Sequence, residues 1–94
     1  MFTKRAYEEF FRYHDFTNWL DEAVNLSSGE VIVKNKSTDE NVSTAMVSDV
    51  SVYQDKKIKY KIKAGVSGQN YLVNVRAIDT NGQKWEDAIE CEVL

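Results

Sequence analysis

Proline is absent from the 94 residues, cysteine and histidine occur once each, and glycine occurs four times. Each scarcity excludes something. A single Cys forms no internal disulfide, so no oxidising compartment is implied. With one His and one Cys, a zinc site would need two carboxylates besides, and no ligand spacing accompanies them. No apolar window approaches the roughly 18 residues of a membrane-spanning helix. The opening MFTKRAYEEFF is charged and lacks an apolar run of secretory length, so no signal peptide is expected. A basic excess is missing too: 12 Lys and Arg stand against 15 Asp and Glu, a net charge of −3. That balance argues against a chain whose main work is gripping nucleic-acid phosphates. There is no phosphate-cradling glycine loop, and no general acid–base pair can be located. A non-enzymatic protein without cofactor or metal is expected.

What the chain does contain is alternation. EVIVKNK sets Val31 and Val33 against Glu30 and Ile32, and DVSVYQ sets Val50 and Val52 against Ser51 and Tyr53. KIKYKIK alternates Ile58, Tyr60 and Ile62 with Lys57, Lys59, Lys61 and Lys63, the pattern of a strand with one wet face. NYLVNVRAI places Tyr71, Val73, Val75 and Ala77 on one side, and EDAIECEVL places Ile89, Cys91 and Val93 inward. Asn81-Gly82 predicts a two-residue type I′ hairpin turn between these last strands. AGVSGQN, with Gly65 and Gly68, reads as a loop. The polar stretch 35–44 reads as a longer, mobile connection with Val42 and Met46 as anchors. Short strands separated by turn signals, with no convincing helix beyond the first third, predict one all-β antiparallel sandwich of about seven strands.

The first twenty residues are crowded with rings. FRYHDFTNWL alone holds four of the eleven aromatics, and Phe2, Tyr7 and Phe10 precede it. The reading is a frayed or helical start to about Glu9, a strand to about Phe16, and a turn, TNWLDEA, that packs Trp19 and Leu20 on the sandwich. Phe11, Tyr13, Phe16 and Trp19 are expected to cover the core, because a domain this small aggregates if it exposes them all. Residues 1–10 are expected to be an arm carrying Phe2, Tyr7 and Phe10, ordered against a partner subunit or folded back, with the sandwich spanning 11–94.

Two stretches carry a resemblance. FRYHDFTNWL, through Tyr13, Asp15, Phe16, Trp19 and Leu20, is similar to the entry strand of small phage virion proteins. AGVSGQNYLVNVRAIDTNGQKWEDAIECEV is similar to their glycine-containing loop, Tyr-led strand, Asn-Gly turn and final strand. The chain thus resembles fibre-tail adaptors and related immunoglobulin-like structural proteins of tailed phages and prophages. It departs from them at Ala64-Gly65, where Gly-Gly is usual, and at Phe16, where Trp is common. The resemblance implies an immunoglobulin- or fibronectin III-like sandwich in a virion, assembled in a host bacterial cytoplasm. Its partners would be tail, fibre or neck proteins, or copies of itself in a ring, with no nucleic acid and no membrane. The alternative is a fibronectin-like binding module of a bacterial surface or carbohydrate-active protein. In either, Tyr71 would be a corner residue whose hydroxyl bonds nearby backbone.

The candidate contact residues are Phe2, Tyr7 and Phe10 in the arm and Lys57, Lys59, Lys61 and Lys63 in the lysine row. The row is also consistent with a solvated face or a protected sheet edge. It lacks interleaved exposed aromatics in sequence, which disfavours nucleic acid. Glu86, Asp87, Glu90 and Glu92 form an opposite stripe that would suit head-to-tail packing. His14 and Asp15 point to opposite faces of a strand, and Cys91 reads as inert packing. Asp79 and Asn81 belong to a turn rather than a calcium loop, because the bidentate Glu that closes such a loop is missing. The Asn-x-Ser matches at Asn25, Asn35 and Asn41 are read as chance.

Overall fold

The computed structural model describes all 94 residues. The strands are β1 (Phe2–Lys4), β2 (Phe10–Asp15), β3 (Leu26–Asn35), β4 (Val47–Tyr53), β5 (Lys57–Ile62), β6 (Asn70–Asp79) and β7 (Lys84–Val93). A 3-10 turn covers Thr17–Trp19 and a one-turn helix, α1, covers Ser43–Met46. The strands form a sandwich of two sheets, one ordered β1-β7-β6-β3 and the other β2-β5-β4. All pairings are antiparallel except that of β1 with β7.

The alternation of the sequence becomes the two inner faces. Val31 and Val33 of β3, Val73, Val75 and Ala77 of β6, and Cys91 and Val93 of β7 meet Ile58, Tyr60 and Ile62 of β5. Phe16 and Met46 close the core, both essentially without exposure. Gly29 lies on the inner face of β3 because Ile58 fills the space a side chain would need: a Cβ there would sit 2.4 Å from Ile58 Cδ1. Val66 N–H donates to the Tyr71 hydroxyl at 3.0 Å, so Tyr71 ties the loop before β6 to that strand's first buried position. This is the corner expected from the sequence.

Four local expectations are corrected. The start of the chain is a strand rather than a helix: β1 lies beside the C-terminal half of β7, with Phe2 opposite Cys91 and Lys4 opposite Val93. The sandwich therefore begins at Phe2 and not at residue 11. Lys4 is buried, and its ammonium donates to the carbonyls of Arg5 and Ala64. Burial holds its pKa below the usual lysine value. The turn after β6 is not type I′, since only Gly82 has a positive φ (+80°). Gly82 N–H instead closes on Asp79 C=O at 3.0 Å. The reason is the Asp79 side chain, which accepts the N–H groups of Asn81 (2.8 Å) and Gln83 (2.9 Å) and so favours an Asx-type turn.

The connection 35–44 is tightly bonded. Asn35 N–H donates to Glu40 C=O, Val42 N–H to Val33 C=O, and the Asn35 and Asn41 side chains accept from Ser37 and Ser43. Two of the three Asn-x-Ser matches are thus local turn chemistry. Met46 and Val42 do anchor the segment on the core. Finally, β5 is the central strand of its sheet, so the lysine row is a solvent-facing surface and protects no edge.

Two carboxylates tie acid stability to these turns. The hydrogen bond from Trp85 Nε1 (3.0 Å), then those from Gln83 and Asn81, hold Asp79 below its ordinary value of 3.8. The Thr17 hydroxyl and then the Thr17 N–H do the same for Asp15. A carboxyl whose folded pKa is depressed stabilises the fold above its unfolded pKa. That contribution is lost as pH falls through the folded value. Acid unfolding followed by circular dichroism should therefore steepen below about pH 3.8. The Asp79→Asn variant, which keeps an acceptor in the turn, should show a shallower limb. An unchanged limb would assign the acid sensitivity to other groups.

Candidate protein-interaction surface

The outward face of the β2-β5-β4 sheet is built by register. Asp15, Tyr13 and Phe11 on β2 stand opposite Lys57, Lys59 and Lys61 on β5. On the other flank, Tyr53, Ser51 and Ser48 of β4 stand opposite the same three lysines. Lys59 ends up among rings: its ammonium lies 4.5 Å from the Phe11 centroid, 5.5 Å from Tyr53 and 5.9 Å from Tyr13. Lys61 lies 5.8 Å from Phe11. Tyr13 and Tyr53 reach across β5 until their centroids are 4.9 Å apart. Such cation–π contacts at an exposed site contribute roughly 0.5–1 kcal/mol each. The rings remain accessible, with Phe11 45 %, Tyr13 48 % and Tyr53 36 % exposed.

This corrects the expectation that Phe11 and Tyr13 cover the core. The inward residues of β2 are Phe10, Arg12 and His14 instead. The phase is set by pairing with β5, where Arg12 stands opposite buried Tyr60 and His14 opposite buried Ile58. A one-residue shift would turn every side chain of β2 to the other face. Two polar residues inside are tolerated because they find partners. The Arg12 guanidinium rests 3.8 Å from the Phe2 ring centroid, although its Nε has no hydrogen-bond partner. His14 Nε2 lies 3.1 Å from Asp87 Oδ2, with its ring 4.7 Å from Phe16.

The residues singled out in the sequence do not gather in one place. Lys57, Lys59 and Lys61 share the outward face, while Lys63 follows the end of β5, its N–H bonded to Met46 C=O. Phe2 and Phe10 are half-buried against the core, edge to face at 6.4 Å. Tyr7 alone stands free, 95 % exposed in the turn between β1 and β2. Phe11, Tyr13 and Tyr53 were the residues sequence reasoning missed as contact candidates. The signal was the strict alternation of FFRYHD, which has rings on one face and a ring, Arg and His on the other; alternation alone does not say which is inward.

The acidic stripe keeps Glu86, Glu90 and Glu92 on the outward face of β7 but loses Asp87. Asp87 stands opposite buried Val75, on the inner side of β7, where His14 takes it. Glu86 is 2.7 Å from Arg76 Nε, and Glu90 is 3.0 Å from Lys36 Nζ. Cys91 is fully buried; burial pushes its thiol pKa up, against the opposing pull of Lys4 and Arg12. The two concavities of the molecule lie elsewhere, one around Arg76, Ile78 and Trp85 and one at Tyr7–Phe10, so the rings on the β2-β5-β4 sheet occupy an open face rather than a groove. Compared with known proteins, the chain matches no family model and no curated protein.

Proposed function

We propose that the chain is a non-enzymatic structural protein of a phage or prophage particle, joining tail, fibre or neck components by surface complementarity. The observation that carries this reading is the open face on which Phe11, Tyr13 and Tyr53 surround Lys59. A module that binds a small ligand would place its rings in a groove; a joining protein presents them on an accessible face, as here. The strand order supports the immunoglobulin-like part of the reading. With β1 taken as strand A, β2-β5-β4 corresponds to B-E-D and β3-β6-β7 to C-F-G of that architecture, and Tyr71 falls near the start of strand F; β1 departs from it, pairing in parallel with β7 instead of lying beside β2. The virion as its location is inferred from the resemblance of both chain ends to small virion proteins alone.

The test is quantitative mass spectrometry of purified particles induced from the source organism. The polypeptide is expected at a fixed integer ratio to the tail and head proteins. Its absence from intact particles would overturn the virion reading and leave the fibronectin-like binding module to be pursued.

A further inference from the structure

We propose that the free edge of β2 takes an added strand from a partner polypeptide, whose inward side chains are apolar on either side of one carboxylate that pairs with Arg12. The inference rests on the joining role above and names how the partner docks. Phe16 N–H donates to Lys56 C=O at 2.9 Å. Bonded and non-bonded pairs alternate along an antiparallel ladder, so His14, Arg12 and Phe10 also turn their backbone groups to β5. Phe11 and Tyr13 turn theirs away, to a side where β2 has no neighbour. The other edges are broken or covered. β4 shifts register between Ser48 and Ser51, with Asp49 at φ +55°. Lys34 of β3 bridges Asn41, and Val33 C=O accepts Val42 N–H. β1 has three residues and shields the end of β7. β2 keeps an unbroken register over six residues, with no lysine or proline on it; such an edge is a template for another strand.

Arg12 sets the chemistry of that strand. Its guanidinium crosses from β2 to the Phe2 ring on β1 at 3.8 Å, along the flank where both sheets end. Its Nε is buried without a hydrogen-bond partner, and no carboxylate pairs with it. Lys4, the buried cation of β1, has the carbonyls of Arg5 and Ala64 instead. A charge turned inward at a sheet edge deters strands that cannot match it. A carboxylate is the match, since Arg–carboxylate hydrogen bonds are charge-assisted and often bidentate. On an antiparallel added strand the residue opposite Arg12 belongs to a non-bonded pair, with Cα atoms about 4.5 Å apart, so one Asp or Glu side chain reaches it. The inward residues on either side of that carboxylate meet Phe10 and the His14 ring, which lies against Phe16 and Trp19, and are therefore apolar. Glu9 and Asp15 keep to the other face: Glu9 meets Lys61 at 3.6 Å, and Asp15 stands opposite Lys57. They leave the inward carboxylate unopposed but disfavour acidic residues on the outward side of the strand. A second copy of this chain is for that reason the weaker occupant: the part of its β7 that β1 leaves open carries Glu86 and Glu90 outward.

The experiment is amide hydrogen exchange of the whole chain, followed by two-dimensional NMR, with two synthetic peptides. One alternates threonine with valine, glutamate and valine in turn; the other has glutamine for the glutamate. The first is expected to protect the amides of Phe11 and Tyr13, and the second to bind roughly tenfold more weakly, about 1.4 kcal/mol. Arg12→Gln should bring the two peptides to equal affinity. Tyr13→Pro should abolish binding of both. It removes an N–H that bonds nothing within the chain, at an edge position where proline is tolerated, so the variant should still unfold cooperatively. Equal binding of both peptides by the parent, protection of a different edge, or no protection by either peptide would overturn the proposal. So would protection of the same two amides by self-association without peptide. Peptide binding by a chain absent from particles would sustain the β2 edge and overturn the virion role. A chain present in particles that leaves both peptides unbound would do the reverse.

Discussion

Phe16→Ala is expected to cost about 4 kcal/mol of folding stability, at the upper end for single truncations. Phe16 has no exposed surface. It joins β2 to the 3-10 turn, its N–H donates to Lys56 C=O at 2.9 Å, and its ring stands edge-on to Trp19 at 4.9 Å. Trp19 in turn lies 6.3 Å from Trp85 on the other sheet. Removing the ring leaves a cavity at the end of the sandwich and releases the aromatic chain that links the sheets there. Domains of this length are stabilised by only about 5–14 kcal/mol in total, so the loss is a large share. Thermal unfolding should move down by roughly 16–32 °C, with a red shift of tryptophan emission in the folded baseline. Phe16→Leu should recover most of the loss. A transition within a few degrees of the parent would mean that the two sheets do not depend on this ring.

Gly65→Ala is expected to be nearly as severe, at about 3 kcal/mol, for two reasons that a control separates. Gly65 has φ of +94°, where a Cβ costs about 1–2 kcal/mol. A Cβ there would also lie 2.8 Å from Val93 Cγ2 and 3.0 Å from Met46 Cε. Both neighbours are buried, and overpacking of this kind costs about 1–3 kcal/mol. Gly68 has a similar φ of +86° but nothing within 4 Å of the added atom. Gly68→Ala should therefore show the backbone cost alone. Chemical unfolding of both variants measures the difference, and equal losses would remove the packing part of the argument.

The loop holding these glycines was legible from the sequence, but their unequal burden was not. Val93 comes from the far end of the chain and Met46 from α1, and only the closed sandwich brings them to Gly65. The same holds for the contact face. The lysine row could be read from KIKYKIK because period-two alternation is local. Its flanking rings could not, because Phe11, Tyr13 and Tyr53 come from strands whose phase is set by register with β5. The turn at Asp79 shows a second limit. Asn-Gly signals a hairpin, yet a carboxylate two residues earlier captured the backbone N–H groups and changed the turn type.

The sequence by itself determined the fold class, the alternating faces of β3, β5, β6 and β7, the Tyr71 corner and the wet lysine row. Each depends on side-chain periodicity or on a contact a few residues long. Tertiary structure decided that Phe2–Lys4 is a strand paired with β7, that FFRYHD turns Arg12 and His14 inward, and that Asp87 leaves the acidic stripe to meet His14. It also decided that three rings and Lys59 share one face. Those outcomes depend on pairing between segments remote in sequence. There the cost of placing Arg and His inside is offset by the partners they meet, and by the burial of Phe16 that the same register secures.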